Sequence, residues 1–368
     1  MLVTLDGTPL LGRRTGIGRY VQELVAALPQ VAARQAFDAR FRVTTWSARS
    51  HRVPDLPSGV RQVGPRVPAR ALRAAWLRTD LPTAEMLGAG GDVVHGTNFV
   101  VPPTRRAATV VTVHDLTFLD RDTVAPTDAD YAQLLPRSLD RGAHVVTPTR
   151  AVAAAVRAHY GLPADRVDVT PLGVDEAWFS AAPPDPDHRE RLGLPDDYVL
   201  YVGSDAARKN VDTLVAAHRT LTHGGTRGPA LVLAGPAGAA PRSDAHPGVI
   251  AGGWLADDDL RRLVAGARAV VLASSDEGFG LPVLEALAAG RPVVITDIPA
   301  LTEVAGPHGG AVAPPRDAEA LAGALQRALA DDDSDAARTR RRDWARGWTW
   351  PACAAATLDV YRRVAAAR

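Results

Sequence analysis

The segment Ser274–Gly290 reads Ser-Ser-Asp-Glu-Gly-Phe-Gly-Leu-Pro-Val-Leu-Glu-Ala-Leu-Ala-Ala-Gly, and it decides the fold. It follows the apolar run Ala269–Ala273, which has the length and composition of a buried parallel strand. Gly278 and Gly280 permit a tight turn, and Pro282 suits the first turn of a helix. The segment therefore predicts a strand, a glycine turn and a helix, which is the repeating unit of a parallel α/β sheet.

The same alternation extends along the whole chain. The apolar runs predict strands at Leu2–Leu5, Phe41–Trp46, Val93–His95, Thr109–Val113, His144–Thr147, Val167–Thr170, Val199–Val202, Ala230–Ala234, Val249–Ala251, Ala269–Ala273, Pro292–Thr296 and Gly310–Val312. Amphipathic stretches predict helices at Arg19–Leu28, Arg150–His159, Asn210–His218, Asp257–Ala265, Pro282–Ala289 and Ala318–Ala330, and Pro351 begins another that reaches Arg363. The sequence thus predicts an α/β protein with two doubly wound, Rossmann-like parallel sheets.

A proline-rich polar stretch between Asp175 and Pro195 marks the predicted domain boundary, because it cannot continue a helix or a central strand. We predict domains at residues 1–176 and 177–346, with a C-terminal helical segment at 347–368. Ligands of such sheets bind at the carboxyl ends of the strands. We therefore expect a cleft that faces those ends in both domains.

Composition excludes several classes of protein. The 368 residues carry a formal net charge of +1, which provides no general field for nucleic acid, so we expect no nucleic-acid partner. The single cysteine, Cys353, excludes an internal disulfide framework and favours a reducing cytoplasm. No run of about 18 uninterrupted apolar residues occurs, so no membrane span is expected. Peripheral contact with an anionic membrane face is one possibility for the basic stretch Arg61–Arg78, and a solvated helix is the alternative.

Two carboxylates and two cations are the candidate ligand-binding groups of the second half. Glu277 and Glu285 are eight residues apart and could bind hydroxyls on two parts of one ligand; the alternative is a turn with solvated carboxylates. Arg208 and Lys209 follow the turn at Gly203 and could neutralise a diphosphate, although a basic pair before a helix is often a solvated face. Lys209 is the only lysine in a chain otherwise rich in arginine, which favours a role for its compact ammonium.

In the first half, Gly16 and Gly18 lie between a predicted strand and helix and could let backbone amides approach an oxyanion. A plain turn is the alternative, and the full G-x-G-x-x-G fingerprint is absent, which argues against an NAD enzyme. His114 and Asp115 end a strongly apolar strand. His114 is a candidate to orient a substrate or a hydrogen-bonded structural residue, and Asp115 is a loop or cap residue more than a base.

Further polar residues at predicted strand ends are candidates for acceptor contact. They are His95, Asn98, Asp115, Thr149 and Arg150. A polar loop explains His95 and Asn98 equally well, and Thr149 is equally suited to cap a helix. No catalytic metal is expected, because Asp128-Ala-Asp130, Asp185-Pro-Asp187 and Asp333-Ser-Asp335 do not follow a predicted strand and no His-Glu-x-x-His occurs.

Glu277 and Glu285, with Gly-Phe-Gly-Leu-Pro between them, resemble the E-x7-E motif of family 4 glycosyltransferases, retaining enzymes of the GT-B fold that use nucleotide-sugar donors. Other blocks resemble the family in the same order along nearly the whole chain. They are Thr15-Gly-Ile-Gly-Arg-Tyr, Val113-His-Asp-Leu, Thr170-Pro-Leu-Gly-Val-Asp, Gly203-x4-Arg-Lys-Asn, Gly252-Gly-Trp-Leu and Trp350-Pro followed by Tyr361-Arg-Arg. Within the family the chain resembles the mannosyltransferase-like branch most.

The resemblance implies a role for each candidate. The first domain would bind the acceptor, the second the donor, and the last helix would cross back onto the first domain. Glu277 would bind donor sugar hydroxyls, Glu285 the ribose, and Arg208 with Lys209 the diphosphate. The remaining donor-site residues would be Gly16, Gly18, Gly203, Trp254, Gly278, Phe279, Gly280 and Leu281, with Trp254 near the base or, alternatively, in the core. His114 would face the donor sugar.

The implied reaction is metal-independent transfer of a hexose, with mannose carried by GDP favoured, to a hydroxyl of a glycan, lipid-linked sugar or small molecule. The donor is a co-substrate, and no cofactor is expected. A catalytically silent nucleotide-sugar-binding protein is the alternative from another class. Two departures from the family pattern are Asp276 before the first motif glutamate and Ala206-Ala207 before Arg208; neither removes a ligand.

Overall fold

The structure is a computed structural model that describes residues 1–12, 15–48, 52–120, 130–222, 228–235, 247–331 and 333–368. These residues fold into two compact units, one formed by Met1–Gly173 together with Thr349–Arg368 and the other by Val174–Trp348. No helix in the described ranges has the length and apolar character needed to cross a bilayer.

Each unit is built on one parallel sheet. Within the described residues of the first unit the strands are β1 Leu2–Asp6, β2 Arg40–Thr44, β3 Val60–Val63, β4 Val93–Gly96, β5 Ala108–Thr112, β6 His144–Thr147 and β7 Val167–Val169, in the order β3-β2-β1-β4-β5-β6-β7. In the second unit they are β8 Tyr198–Val202, β9 Ala230–Ala234, β10 Val249–Gly253, β11 Ala269–Leu272, β12 Val293–Thr296 and β13 Ala311–Ala313, in the order β10-β9-β8-β11-β12-β13. The predicted pair of doubly wound parallel sheets is confirmed.

Helices connect the strands and cover the sheets. Their bounds are α1 Gly16–Arg34, α2 Ala69–Trp76, α3 Tyr131–Asp140, α4 Arg150–Tyr160, α5 Pro186–Leu192, α6 Val211–Thr222, α7 Asp257–Gly266, α8 Leu281–Ala288, α9 Pro299–Ala305, α10 Ala318–Ala330, α11 Asp335–Arg346 and α12 Trp350–Ala366. The central strands β5, β6, β11 and β12 are buried along their whole length, as parallel strands covered on both faces must be.

The sequence patterns missed strand β3 and helices α3, α5 and α9, whereas α2 lies within Arg61–Arg78, for which a solvated helix is one of the two expectations. Strand β3 is an edge strand with only Val60 buried, so Arg61 and Gln62 interrupt the apolar run that signals a covered strand. Helix α2 also changes the interpretation of the basic stretch Arg61–Arg78. Its Trp76 is buried with its indole N–H on the Pro82 carbonyl, so the stretch is not a uniformly solvated face.

A buried polar chain ties helix α12 to the sheet of the first unit. The Tyr361 hydroxyl lies 2.5 Å from His95 Nδ1, and His95 Nε2 lies 2.7 Å from Thr112 Oγ1. Thr112 Oγ1 in turn lies 3.0 Å from the Tyr20 hydroxyl of α1. Burial lowers the pKa of His95 to about 3, with a smaller contribution from His114. His95 is therefore a neutral, fully bonded residue of the core.

Removing the Tyr361 hydroxyl should destabilise the first unit. We expect Tyr361→Phe to lower the free energy of unfolding by about 1–3 kcal/mol, because a buried His95 nitrogen loses its partner. Tyr160→Phe is the matched control, since the Tyr160 hydroxyl is buried and has no partner among the described residues. Urea unfolding measures both; equal effects of the two substitutions would contradict the account.

The pH dependence of stability should reflect His95. The folded state holds its pKa at about 3 against an ordinary 6.5, so between these values the unfolded chain binds the additional proton. The contribution of His95 to the free energy of unfolding is complete above about pH 6.5 and is lost as the pH falls toward 3. We expect His95→Gln to flatten the fall in unfolding free energy below pH 6.5, measured by urea unfolding, whereas the exposed His159→Gln should not. An unchanged slope in His95→Gln would contradict the account.

Candidate functional site

The candidate site of the second unit lies where its sheet reverses direction of winding. Strands β8 and β11 are neighbours, although β9 and β10 separate them in sequence. Arg208 and Lys209 follow β8, and Glu277 follows β11. Carboxyl ends of adjacent parallel strands meet at one edge of a sheet, so the topology brings these three side chains together.

Their charged atoms are in direct contact. The Lys209 ammonium forms an ion pair with Glu277 Oε1, and Arg208 Nη1 lies 3.4 Å from Glu277 Oε2. Ser274 Oγ donates to Glu277 Oε1 at 3.0 Å. The Glu277 side chain is only 8% exposed, so this carboxylate is held on both oxygens inside the protein. Ser274 is absent from the predicted site residues, and its place directly after the β11 run is the signal that could have identified it.

Hydrogen bonds join the loop that carries Arg208 and Lys209 to the loop that carries Glu277. Arg208 and Lys209 lie in a single helical turn, Ala207–Lys209, which ends at Asn210 with a left-handed φ of 54°. Asn210 Nδ2 donates to the Ala273 carbonyl at 3.1 Å, and the Ser275 N–H donates to the Arg208 carbonyl at 2.7 Å. Asparagine suits such a left-handed position. The cations are thereby held against the loop that carries Glu277.

Opposing effects set the ionisation of Glu277. Burial is the largest single effect and would raise its pKa, but the charges of Lys209 and Arg208 and the hydrogen bonds from Lys209 and Ser274 together outweigh burial. The net pKa lies below the ordinary value for a glutamate. Glu277 is therefore an ionised hydrogen-bond acceptor and not a general acid.

The glycine turn and helix α8 continue from Glu277. Gly280 has a left-handed φ of 86°, which favours glycine. A Cβ at this position would also collide with the Leu301 side chain, so both the backbone conformation and the packing favour glycine here. The start of α8 has no side-chain cap, which leaves its first amides and the positive end of the helix dipole suited to an anion. Glu285 lies on α8 and is 6% exposed.

The other predicted donor-site residues fall into different surroundings. Phe279 is buried with its ring centroid 5.5 Å from that of Trp348, so it is a packing residue of this loop. Trp254 is 48% exposed, so the alternative that placed it in the core is wrong. The Gly203 N–H donates to the Ala234 carbonyl and continues the ladder between β8 and β9. Gly278 is buried beside Glu277.

In the first unit, helix α1 begins at Gly16, three residues before its predicted start at Arg19. Gly16 and Gly18 therefore lie in the first turn of this helix. The Gly18 N–H donates to the hydroxyl of Thr15, the N-cap residue of α1, at 3.4 Å. This amide is therefore already bonded within the helix cap. His114 is buried and donates from Nε2 to the Thr97 carbonyl at 2.9 Å. Burial lowers its pKa against the opposing effects of Thr97 and Asp115, so the imidazole is neutral.

The acceptor candidates divide between structural and accessible residues. The expected acceptor contact of His95 does not fit the structure, because both ring nitrogens are bonded inside the core. Thr149 caps α4 by accepting from the Val152 N–H at 3.2 Å, and Asp115 accepts from Thr117 within its own loop. Arg150 is exposed at the start of α4. Asn98 lines a cavity, and its acceptor contact stays a prediction.

Within the described residues, no group of three or more His, Cys, Asp or Glu side chains is placed to hold a metal ion. Asp185 caps α5, and Asp333 lies 2.7 Å from Arg338. Asp128 lies outside the described residues.

Two family models match the chain. The model described as Glycosyltransferase Family 4 matches residues 14–178, and the model described as Glycosyl transferases group 1 matches residues 196–331. The chain is 28% identical to the O-antigen chain mannosyltransferase B of Escherichia coli, over 98% of this chain and 100% of that protein. It is 31% identical to a D-inositol 3-phosphate glycosyltransferase of Xylanimonas cellulosilytica, over 96% of this chain and 93% of that protein.

The fold is shared with solved structures. Sucrose-phosphate synthase of Thermosynechococcus elongatus superposes with a TM-score of 0.76 at 21% identity, covering 100% of both chains. With its two parallel-sheet units, the chain has the GT-B fold that the sequence predicted.

Breaking the buried ion pair of Lys209 and Glu277 should lower the free energy of unfolding more than breaking a pair on the surface. We expect Lys209→Met to lower the free energy of unfolding by about 3 kcal/mol, because Glu277 keeps its burial and loses its closest cation. Lys209→Met combined with Glu277→Gln should cost less than the sum of the two single changes. Urea unfolding provides the coupling energy.

The exposed pair Arg189–Asp196 in the same unit is the control, and Arg189→Met should cost less than about 1 kcal/mol. Additive effects of Lys209→Met and Glu277→Gln would contradict the geometry described.

Proposed function

We propose that this chain, which belongs to glycosyltransferase family 4, transfers a hexose from a nucleotide diphosphate sugar to an acceptor hydroxyl with retention at the anomeric carbon and without a metal ion. Mannose carried by GDP is the favoured donor; the name of one relative, the O-antigen chain mannosyltransferase B, supports mannose as the sugar. The observation that carries the proposal is the contact of Glu277 with Lys209 and Arg208 at the ends of two adjacent strands.

Lys209 retains bonding capacity for a diphosphate. Its ammonium has three N–H donors, and it forms an ion pair with Glu277 through one nitrogen. Lys209 and Arg208 would hold the diphosphate, together with the amides of Gly280 and Leu281 at the uncapped start of α8. Glu277, ionised and already oriented by its partners, would accept from hydroxyls of the donor sugar. Glu285 would bind the ribose.

The reaction places growing negative charge on the departing phosphate. The bond between the anomeric carbon and the phosphate oxygen breaks while the acceptor oxygen bonds to that carbon from the same face, and the phosphate oxygen takes the acceptor proton. Fixed positive charge at Lys209 and Arg208 stabilises this leaving group, which is the task a divalent ion performs elsewhere. No carboxylate nucleophile is required.

His114 would orient the donor sugar. With Nε2 donating to the Thr97 carbonyl, the neutral ring leaves Nδ1 as the acceptor nitrogen, which suits a sugar hydroxyl. Its lowered pKa keeps this state at neutral pH.

Loss of either donor contact should reduce turnover with little effect on folding of the first unit. We expect Lys209→Ala and Glu285→Ala each to lower kcat for donor hydrolysis or transfer by about 100-fold, because a charge-stabilising or positioning contact is lost. Arg189→Ala is the control in the same unit and should retain full activity. Unchanged turnover in both site variants would contradict the assignment.

The donor and the metal requirement are tested on the unmodified protein. GDP-mannose should raise the apparent Tm more than UDP-, dTDP- or ADP-sugars, and a chelator should leave turnover unchanged. NMR of the product should show the anomeric configuration of the donor. A product of inverted configuration, or activity abolished by the chelator and restored by a divalent ion, would overturn these parts of the proposal. Donor binding without any turnover would favour the non-catalytic alternative.

A further inference from the structure

A cavity of about 450 Å³ lies in the second unit, at the amino end of strand β13. Gly310 and Ala311 line one side of it, and the end of α10 and one face of α11 line the others. Strands β11, β12 and β13 are parallel neighbours, so their amino ends share one edge of the sheet. Lys209 and Glu277 follow the carboxyl ends of β8 and β11, at the opposite edge. The cavity is therefore separate from the candidate site described above.

Positive charge dominates the lining of this cavity. Among the described residues that line it, the arginines are Arg327 of α10 and Arg340 and Arg341 of α11, and the carboxylate is Asp331, directly after α10. Three cations and one anion give these side chains a net charge of two positive units. A concave surface lined by one sign of charge concentrates ligands of the opposite sign.

Arg341 and Asp331 largely neutralise each other. Arg341 Nη2 lies 3.0 Å from Asp331 Oδ2, and Arg341 Nη1 donates to the Gly290 carbonyl at 3.3 Å. The Arg341 side chain is only 6% exposed, so these contacts fix it in the wall of the cavity. This pair joins the end of α10 to α11 and adds little net charge.

The other two guanidinium groups have no carboxylate partner in the described part of the chain. Arg340 is exposed and forms no hydrogen bond or ion pair with a described residue. Arg327 is also exposed, and its Nη2 donates to the Val312 carbonyl at 3.3 Å. Because a guanidinium has five N–H donors, both retain donors for a ligand. Two like charges at one cavity repel each other, and a bound anion would relieve this repulsion.

Helix α10 opposes an anion, since the negative end of its dipole lies at the cavity. That end is equivalent to about half an elementary charge, whereas Arg327 and Arg340 carry two full charges. The net effect therefore still favours an anion. The planar fork of a guanidinium matches two oxygens of one phosphate group, so these arginines are suited to phosphate in particular.

The cavity has room for more than a phosphate group. Its volume of about 450 Å³ lies within the range of about 300–1,000 Å³ that is typical of small-molecule sites. Pro307, Ala311 and the ring of His308 line it beside the arginines. The His308 ring packs edge to face on Trp344, with 6.3 Å between the ring centroids. This surface suits the organic part of a phosphorylated molecule.

We propose that this cavity binds a small phosphate monoester, with Arg327 and Arg340 donating to its phosphate oxygens and the organic part against Pro307 and His308. The inference goes beyond the proposed function, because the cavity lies at the opposite edge of the sheet from Lys209. Binding requires neither a nucleotide sugar nor an acceptor.

Calorimetry with AMP, glucose 6-phosphate and inorganic phosphate measures binding, with adenosine and glucose as the uncharged counterparts. AMP or glucose 6-phosphate should bind more tightly than inorganic phosphate and than its own uncharged counterpart. Which of the two binds distinguishes a nucleotide from a sugar phosphate.

The double variant Arg327→Gln/Arg340→Gln should raise the Kd of the bound monoester at least about tenfold, because charge-assisted hydrogen bonds to the phosphate are lost. Both side chains are exposed, so the fold should be retained. Arg219→Gln is the matched control and should leave the Kd unchanged. Arg219 is exposed in the last turn of α6, as Arg327 is in the last turn of α10, and it does not line the cavity.

A change of opposite sign tests charge recognition. Asp331→Asn keeps an oxygen for Arg341 and removes a negative charge from the lining, so it should lower the Kd about threefold. Lys209→Ala should leave the Kd unchanged, because Lys209 lies at the other edge of the sheet.

Three results would overturn the proposal. They are failure of both monoesters to bind more tightly than inorganic phosphate, an equal Kd in wild type and in Arg327→Gln/Arg340→Gln, and binding that is lost in Lys209→Ala but kept in the double variant. The last result would place the phosphate at the candidate diphosphate site.

Discussion

Burial disfavours the ionised form of a carboxylate, and in Glu277 the adjacent charges of Lys209 and Arg208, with hydrogen bonds from Lys209 and Ser274, offset this effect. The parallel sheet supplies the geometry, because β8 and β11 become neighbours only when the chain returns across the sheet. The hydrogen bonds from Ser275 and Asn210 then lock the two loops. The same contacts that keep Glu277 ionised leave cations where a diphosphate would gain charge.

Both units carry polar groups at the point where the winding of the sheet reverses, but these groups differ in charge. Each sheet reverses its winding once, between β1 and β4 in the first unit and between β8 and β11 in the second, and each carries polar groups at that point. In the second unit the groups are charged and mutually paired. In the first, the Trp46 indole nitrogen and Asn98 Oδ1 are buried and have no hydrogen-bond partner among the described residues.

Sequence reasoning recovered the buried strands because an unbroken apolar run signals a covered parallel strand, as in β6 at His144–Thr147. It missed β3, where edge exposure permits Arg61 and Gln62. The apolar runs predict that Lys209 and Glu277 follow strand ends. Their direct pairing depends on the order of the strands in the sheet, which the sequence pattern does not give. His95 misled for the same reason: its partner Tyr361 lies on the last helix, and no local pattern reveals that contact. Asp6 and Trp46 line one cavity because β1 and β2 are neighbours in the sheet, which no local pattern predicts.

The single lysine allows a direct test of the central claim, which is that Lys209 holds the diphosphate of the donor. Protein labelled with ¹⁵N-lysine has one side-chain ammonium signal, free of overlap, which reports the state of Lys209 alone. Titration with GDP-mannose, with binding followed in parallel by calorimetry, should move this signal along the same saturation curve as the heat of binding. Saturable binding of the nucleotide sugar with an unmoved Lys209 signal would contradict the account.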